Sequence, residues 1–346
     1  MYKIAFIGFG TVARGLAEIL VEKVEFLKRN YDFDFKVVAI SDPLVGEVHN
    51  PAGISLKEAL SLWKDGRKLG EELGETGWNS LRVVRESEAD IILEATPTNL
   101  DTGEPGITHI REALKAGKHV ATTNKGPIAL FYRELIELSK EKNVLLRFEG
   151  TVLSGTPTLN LALYDLPGVD IVEIRGIVNG TTNFILTEME KGKTYEEALK
   201  EAQRLGYAEA EPDADVEGYD ALAKIVILSN VLLGADLSPE DVERKGITKL
   251  TLDDMERAKR EGKRWKLIAK AKKEGNRVVA GVSPQLIGKE DFLYHIMGVI
   301  NAVQFKTDVL REVTIVGPGA GGKEAGYALL TDMLDIHRTL KVKGGI

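Results

Sequence analysis

The chain has 346 residues, 43% of them apolar and 29% charged, with a net charge of −7 and no cysteine. That length suits two cooperating units better than one core, and the acidic balance argues against nucleic acid as a partner. No apolar run approaches the ~20 residues of a membrane span, and the missing thiol excludes disulfides, thiolate metal sites and cysteine nucleophiles. The N-terminus reads as a strand and not as a signal peptide, so a cytoplasmic protein acting on a small molecule is expected.

Residues 1–148 alternate short apolar strands with amphipathic helices. Strands are predicted at Lys3–Ile7, Phe35–Ile40, Ile91–Ala95, His119–Thr122 and Val144–Phe148, and helices at Val12–Arg29, Thr108–Ala116 and Ile128–Lys142. Residues 44–80 read as glycine-rich and irregular, with a helical piece near Leu56–Trp63. This rhythm predicts an α/β fold, a Rossmann-type doubly wound parallel sheet that binds a dinucleotide. The pattern changes after Glu149, where a second α+β unit is expected over 149–325 for substrate binding and dimerisation. It contains a strand at Ile171–Val178, helices at Tyr195–Leu205 and Gly218–Leu233, and one long helical region at Thr248–Lys272. Arg277–Val282, Phe305–Asp308 and Val313–Val316 then read as strands of a more antiparallel sheet. A final helix over 326–346, with the stripe Ala328, Leu329, Met333 and Ile336, is expected to pack back on the first domain.

Two places carry chemistry. Gly8-Phe9-Gly10-Thr11-Val12-Ala13 lies between a strand and a helix, the context in which a glycine turn holds a pyrophosphate at a helix N-terminus. Asp42 ends the second strand, where an acid accepts from ribose hydroxyls and repels a 2′-phosphate, favouring NAD over NADP. Lys57 remains a rival anchor for that phosphate. Lys125, in Thr122-Thr-Asn-Lys-Gly-Pro127, follows a strand of the same sheet and reads either as a crevice group or as a solvated loop lysine. Farther on, Glu217, Asp220 and Lys224 share one predicted helix face, with Lys224 among apolar residues. Glu209, Glu211, Asp213 and Asp215 lie just upstream and read as ligands of a substrate ammonium or as a solvated acidic loop. The carboxylates lack calcium-loop spacing and the five histidines are scattered, so a divalent catalytic metal is not expected.

Taken in order, Gly8-Phe-Gly10-Thr-Val, Thr122-Thr-Asn-Lys-Gly-Pro127, Asn179-Gly-Thr-Thr-Asn-Phe-Ile-Leu186, Gly206 through Lys224, and Gly317-Pro-Gly-Ala-Gly-Gly322 resemble the homoserine dehydrogenases over essentially the whole chain. The resemblance implies interconversion of L-aspartate 4-semialdehyde and L-homoserine with NAD or NADP, a step toward threonine, methionine and isoleucine. It further implies that Glu209 holds the substrate amino group and that Asp215 and Asp220 line the substrate site. Gly180 and Thr181 then form a turn that meets the substrate. Lys224 takes the part of proton donor, Lys125 that of a second lysine near the nicotinamide, and Thr96 that of a threonine beside the cofactor. Gly319 and Gly321 resemble glycines that close over the cofactor, and Glu149, Val152, Ser154 and Thr156 match a segment that holds a monovalent cation, usually sodium. A homodimer through the second domain's sheet is implied, with Phe292–Val316 supplying it. The chain begins at the first Rossmann strand and ends after the last helix, so neither an aspartate kinase nor a regulatory ACT domain is expected. Glu211 departs from the aspartate expected there, and 44–80 is longer than expected. An aspartate-type amino-acid dehydrogenase and a non-catalytic NAD-binding sensor remain the alternatives.

In the reductive direction, hydride goes to the aldehyde carbon and the carbonyl oxygen needs a proton. Lys224 is the favoured donor, with Lys125 polarising the oxygen and Asp220 positioning Lys224; the reverse assignment of the two lysines stays open.

Overall fold

Residues 1–343 are described by a computed structural model, so 344–346 of the expected final helix lie outside the described residues. Two compact units appear: Met1–Gly155 with the chain from Gly321 on, and Thr156–Ala320. Residues 149–155 and 321–325 thus fall in the first unit, where the sequence division at 148 and 325 had put them in the second.

The first unit runs β1 (Tyr2–Ile7), α1 (Thr11–Tyr31), β2 (Phe35–Asp42), β3 (Gly46–His49), α2 (Leu56–Lys64), β4 (Glu75–Thr76), α3 (Ser80–Glu86), β5 (Ile91–Glu94), α4 (Gly106–Lys115), β6 (His119–Thr122), α5 (Lys125–Glu141) and β7 (Leu146–Arg147). Among the described residues these strands form one sheet in the order β4-β3-β2-β1-β5-β6-β7. The pairings from β2 through β7 are parallel, while β3 and β4 add an antiparallel edge. That edge and α3 come from the stretch read as irregular: β3 and β4 are too short for periodicity to reveal. Central β1 and β5 are apolar on both faces, with Ile4 to Ile7 and Ile91 to Leu93 wholly buried, as a sheet covered on both sides requires. The C-terminal helix (Gly322–Lys343) lies on α1 at close range. A Cβ on Gly15 would fall 2.2 Å from the Gly322 carbonyl oxygen, and one on Gly326 2.3 Å from the Leu16 nitrogen. Leu329, Met333 and Ile336 enter the same core as Leu16, Leu20 and Ile4. Chain order reverses about β1, which pairs with β2 on one side and β5 on the other, and such a switch point opens a crevice at the carboxyl ends of the strands.

The second unit contains β8 (Ile171–Ile177), α6 (Gly180–Met189), α7 (Tyr195–Arg204), α8 (Asp213–Val216), α9 (Tyr219–Leu232), β9 (Glu243–Arg244), α10 (Leu252–Arg260), β10 (Lys263–Glu274), β11 (Arg277–Gly288), β12 (Ile300–Thr307) and β13 (Glu312–Pro318). The strands pair in the order β13-β12-β8-β10-β11-β9, all antiparallel except β11 with β9. Helices α6 and α9 pack on this sheet. The long helix expected over Thr248–Lys272 is corrected here: α10 stops before Gly262, whose φ of 67° no helix continues, and the rest is β10. The Lys- and Ala-rich composition of 266–272 favours helix locally, but β10 pairs along its whole length with β11 through a two-residue turn at Gly275 and Asn276.

Lys266 points from β10 into the core. Its ammonium donates to the Ile296 carbonyl (2.6 Å) and to Asn183 Oδ1 (3.0 Å). Burial pushes its pKa down to about 8, against the opposing pull of Glu190. The folded chain therefore releases this proton near pH 8 while the unfolded chain holds it to about 10.5, so stability rises with pH in that window. The gain amounts to at most about 3 kcal/mol. Thermal unfolding between pH 7.5 and 10 is expected to show that gain in the wild type relative to Lys266→Met; parallel curves would contradict it.

Candidate active-site residues in each unit

In the first unit, Gly8 follows β1 at φ 84°, and a Cβ there would sit 2.8 Å from the Ala95 carbonyl oxygen, so only glycine lets the segments after β1 and β5 come this close. Gly10 caps α1 without any side-chain cap, and nothing lies within 4 Å of where its Cβ would be. The first N–H groups of α1, opened by exposed Thr11 and half-buried Val12, lie at the positive end of a helix dipole, which fits a pyrophosphate. Ala13 is buried in the core, and the Phe9 ring packs edge-on against Phe6, so Phe9 offers backbone alone. Its N–H is already held by Asp42 Oδ2 at 2.8 Å, while Asp42 Oδ1 accepts from Leu44 and Val45 (2.9 and 3.1 Å). Asp42 therefore builds the turn first, and Oδ2 keeps a lone pair for a further donor. Lys57 lies in a groove of about 420 Å³ between α1 and α2, with Glu18, Glu22 and Lys64. Arg14, which the sequence reading passed over, donates to the Phe9 carbonyl (2.6 Å), lies 3.9 Å over the Trp63 ring and feels the charge of Asp42.

At the next strand ends, Thr96 follows β5 and Lys125 opens α5, so Lys125 is the first residue of a helix and not a loop lysine. Asn124 caps that helix by accepting from Gly126 N–H (3.2 Å) and donates to Thr96 Oγ1 (3.3 Å). Farther along, Glu149 and Val152 are buried, Leu153 and Ser154 both hold φ above 50°, and Ser154 Oγ is buried without a hydrogen-bond partner. The buried Ser154 oxygen, left without a partner, fits a monovalent cation held by backbone and hydroxyl oxygens. Among the described residues no cluster of His, Cys, Asp and Glu would hold a metal by side chains. Thr156 belongs to the second unit, where its hydroxyl donates to the Pro318 carbonyl (2.9 Å).

In the second unit one network joins four side chains. Lys224 is 6% exposed on α9, and its ammonium donates to Asp220 Oδ2 and to the Val178 carbonyl, both at 2.6 Å. Asn179 donates to the same Asp220 oxygen (2.9 Å) and to Asp215 Oδ1 (2.6 Å), and its own Oδ1 caps α6 by accepting from Thr182 N–H (2.9 Å). Burial, then the charge of Asp220, raises the pKa of Asp215. Gly180 and Thr181 are the first residues of α6 and not a free turn. A Cβ at Gly180 would lie 2.7 Å from the Val299 carbonyl oxygen, and the Thr181 hydroxyl donates to the Tyr207 carbonyl (2.6 Å). Glu217 does not share the face of Asp220 and Lys224: Gly218, at φ 84°, breaks the helix, and Glu217 accepts instead from Thr248 (2.8 Å). Glu209, Glu211 and Asp213 are exposed, and the backbone at Glu209 is tied to Gln203 by a 3.0 Å bond. Gly319 lies against Asn301, whose amide would sit 2.3 Å from an added Cβ, whereas Gly321, in the first unit, lies against Glu324. Asn179 stands in one of the sequence motifs without a role assigned to its side chain, although Asn-Gly-Thr-Thr is a helix-capping pattern. The Val178 carbonyl left no signal, because any residue supplies one.

A buried ammonium with two of its three hydrogens committed to fixed acceptors holds the third in a set direction. Such a group can give a proton to a substrate oxygen, and the flanking carboxylates suit a cationic substrate. The family model described as homoserine dehydrogenase matches residues 157–334. The chain is 44% identical to the NAD(+)-dependent homoserine dehydrogenase of Pseudomonas canavaninivorans, covering 98% of this chain and 97% of that one. It is 42% identical to the homoserine dehydrogenase of Methanocaldococcus jannaschii, covering 98% and 99%. A solved hyperthermophilic archaeal homoserine dehydrogenase in complex with NADPH matches with a TM-score of 0.83 at 32% identity, covering 98% of each chain. No helix among the described residues is long and apolar enough to cross a membrane. Fold and relatives agree, and the chain belongs to the homoserine dehydrogenase family of oxidoreductases.

Proposed function

We infer that the chain interconverts L-aspartate 4-semialdehyde and L-homoserine with NAD or NADP, and that the buried network around Lys224 performs the proton transfer. The bound cofactor supplies or takes the hydride. Lys224 gives the carbonyl oxygen its proton as negative charge develops there, and takes it back in the oxidative direction. Its ties to Val178 and Asp220 set the direction of transfer, and this anchoring is the observation that carries the reading. Asn179 donates to Asp215 and Asp220 together, which holds two neighbouring carboxylates side by side. Glu209 and Asp215 take the substrate ammonium, and Gly180 and Thr181 meet the substrate at the N-terminus of α6, where backbone N–H groups favour a carboxylate. In the first unit, Gly8 to Val12 take the pyrophosphate, Asp42 the adenosine ribose, and Thr96 and Lys125 the nicotinamide side. Gly319 and Gly321 close over the cofactor. Glu149, Val152, Ser154 and Thr156 supply oxygens for sodium. The protein works in the cytoplasm as a homodimer, for which sedimentation at twice the chain mass is the test.

Initial rates of nicotinamide reduction with L-homoserine, using NAD and NADP in parallel and sodium or tetramethylammonium buffers, test the reading. Turnover is expected, faster with NAD and with sodium. Oxidation of L-aspartate but not L-homoserine would replace the function. Preference for NADP would remove the role given to Asp42 and move attention to Arg14, and equal rates in the two buffers would remove the cation.

A further inference from the structure

We propose that Glu94 is a positioning residue for this reaction, an acceptor-only group that sets the hydrogen-bond direction of the segments carrying Thr96 and Lys125. The proposal rests on the cofactor side assigned above to those two residues. Glu94 is the last residue of β5, wholly buried between the ends of β1 and β6, where it stands level with Ile7 and Thr122. A parallel strand covered on both faces normally ends in an apolar side chain, so a carboxylate there calls for a reason. It sits at the switch point, and it is held by donors: Oε1 accepts from the Thr96 N–H (3.1 Å) and from the Thr96 hydroxyl, and Oε2 accepts from the Thr122 hydroxyl (2.9 Å). The His109 ring lies nearby, Nδ1 to Oε1 at 3.8 Å, beyond hydrogen-bond distance.

Each threonine hydroxyl has one proton, and both protons go to Glu94. What each hydroxyl has left is acceptor capacity, and Asn124 donates to each of them. Its backbone N–H donates to Thr122 Oγ1 (3.0 Å), and its Nδ2 donates to Thr96 Oγ1 (3.3 Å) and to the Thr96 carbonyl (3.2 Å). With its nitrogens thus committed, Asn124 turns its Oδ1 to Gly126 N–H and starts α5 at Lys125. Direction therefore passes from carboxylate to hydroxyls, from hydroxyls to Asn124, and from Asn124 to the helix that presents Lys125. A glutamine at 94 has the same shape but turns an NH2 toward one hydroxyl. That hydroxyl would then have to accept, and its proton would face a donor of Asn124.

The experiment compares wild type, Glu94→Gln and Glu94→Asp in the binding of NADH and of ADP-ribose, with kcat and KM for L-homoserine. ADP-ribose reports the Gly8 to Asp42 side alone, whereas NADH adds the nicotinamide. For Glu94→Gln we expect ADP-ribose affinity within about twofold of wild type, NADH affinity lower by roughly fivefold, and kcat lower by about 10–100-fold with KM little changed. Glu94→Asp, still acceptor-only, should recover part of the kcat. Equal weakening of ADP-ribose and NADH would mean a structural role and overturn the proposal, as would unchanged NADH binding and kcat. Should Glu94→Gln not fold, Thr122→Val carries the same test, with the same selective loss of NADH over ADP-ribose expected and an equal loss counting against it. A wild type that binds both ligands without oxidising homoserine would sink the function instead, and the selective binding effect would still decide the role of Glu94.

Discussion

Replacing Lys224 by methionine lowers kcat for L-homoserine oxidation by about 10²–10⁴-fold, the range a positioned acid or base contributes, and leaves NADH affinity unchanged. Methionine keeps most of the apolar stem among Ala221, Leu228 and their neighbours but removes the ammonium, so the loss reports the proton and its field. KM for homoserine moves less than kcat, because the lysine acts on charge that appears only as the reaction proceeds. Lys125→Met is the necessary companion. Lys125 starts α5 in the nucleotide-binding unit, so its loss should weaken NADH as well as turnover. If Lys224→Met retained near-normal kcat and Lys125→Met lost it, the proton would belong to Lys125 and the network around Asp220 would be a binding device.

The parallel sheet was legible because its strands are buried on both faces and its helices are long enough to show their period. β1, β5 and β6 stand as short apolar runs, and the Gly8 turn falls where strand gives way to helix. The edge strands β3 and β4 were not legible, since two to four residues carry no period. β10 was misread because its lysines and alanines favour helix one residue at a time, while the strand is fixed by twelve pairings to β11 that no local window contains. At the site, Lys224 and Asp220 announced themselves by spacing. Glu217 appeared to join them only because a helix was assumed to run through Gly218. The bonds from the Val178 carbonyl to Lys224, from Asn179 to Asp215 and Asp220, and from Thr122 to Glu94 span 28 to 46 residues, and sequence spacing is silent at that range.

Asp220→Asn should destabilise the chain more than its partial exposure suggests. The Asp220 side chain is 16% exposed and that of Lys224 is 8%, so their 2.6 Å pair lies mostly out of water. Removing one charge from such a pair leaves the other without compensation, and the expected loss is about 3 kcal/mol. Lys224 and Asn179 both give hydrogen bonds to Asp220 Oδ2, and an asparagine oxygen in that place still accepts both, so the loss reports the charge and not a missing acceptor. The neutral oxygen holds the Lys224 ammonium less firmly than the carboxylate, so kcat falls with stability. The double variant Asp220→Asn/Lys224→Met separates the two effects. It has no stranded charge, so it should be more stable than Asp220→Asn alone although it carries one more substitution, while its kcat stays as low as that of Lys224→Met. Denaturant unfolding of the two single variants and the double one measures the coupling directly. Additive losses would show that Asp220 and Lys224 are neighbours without being a pair, and the anchoring that assigns the proton to Lys224 would have no energetic support.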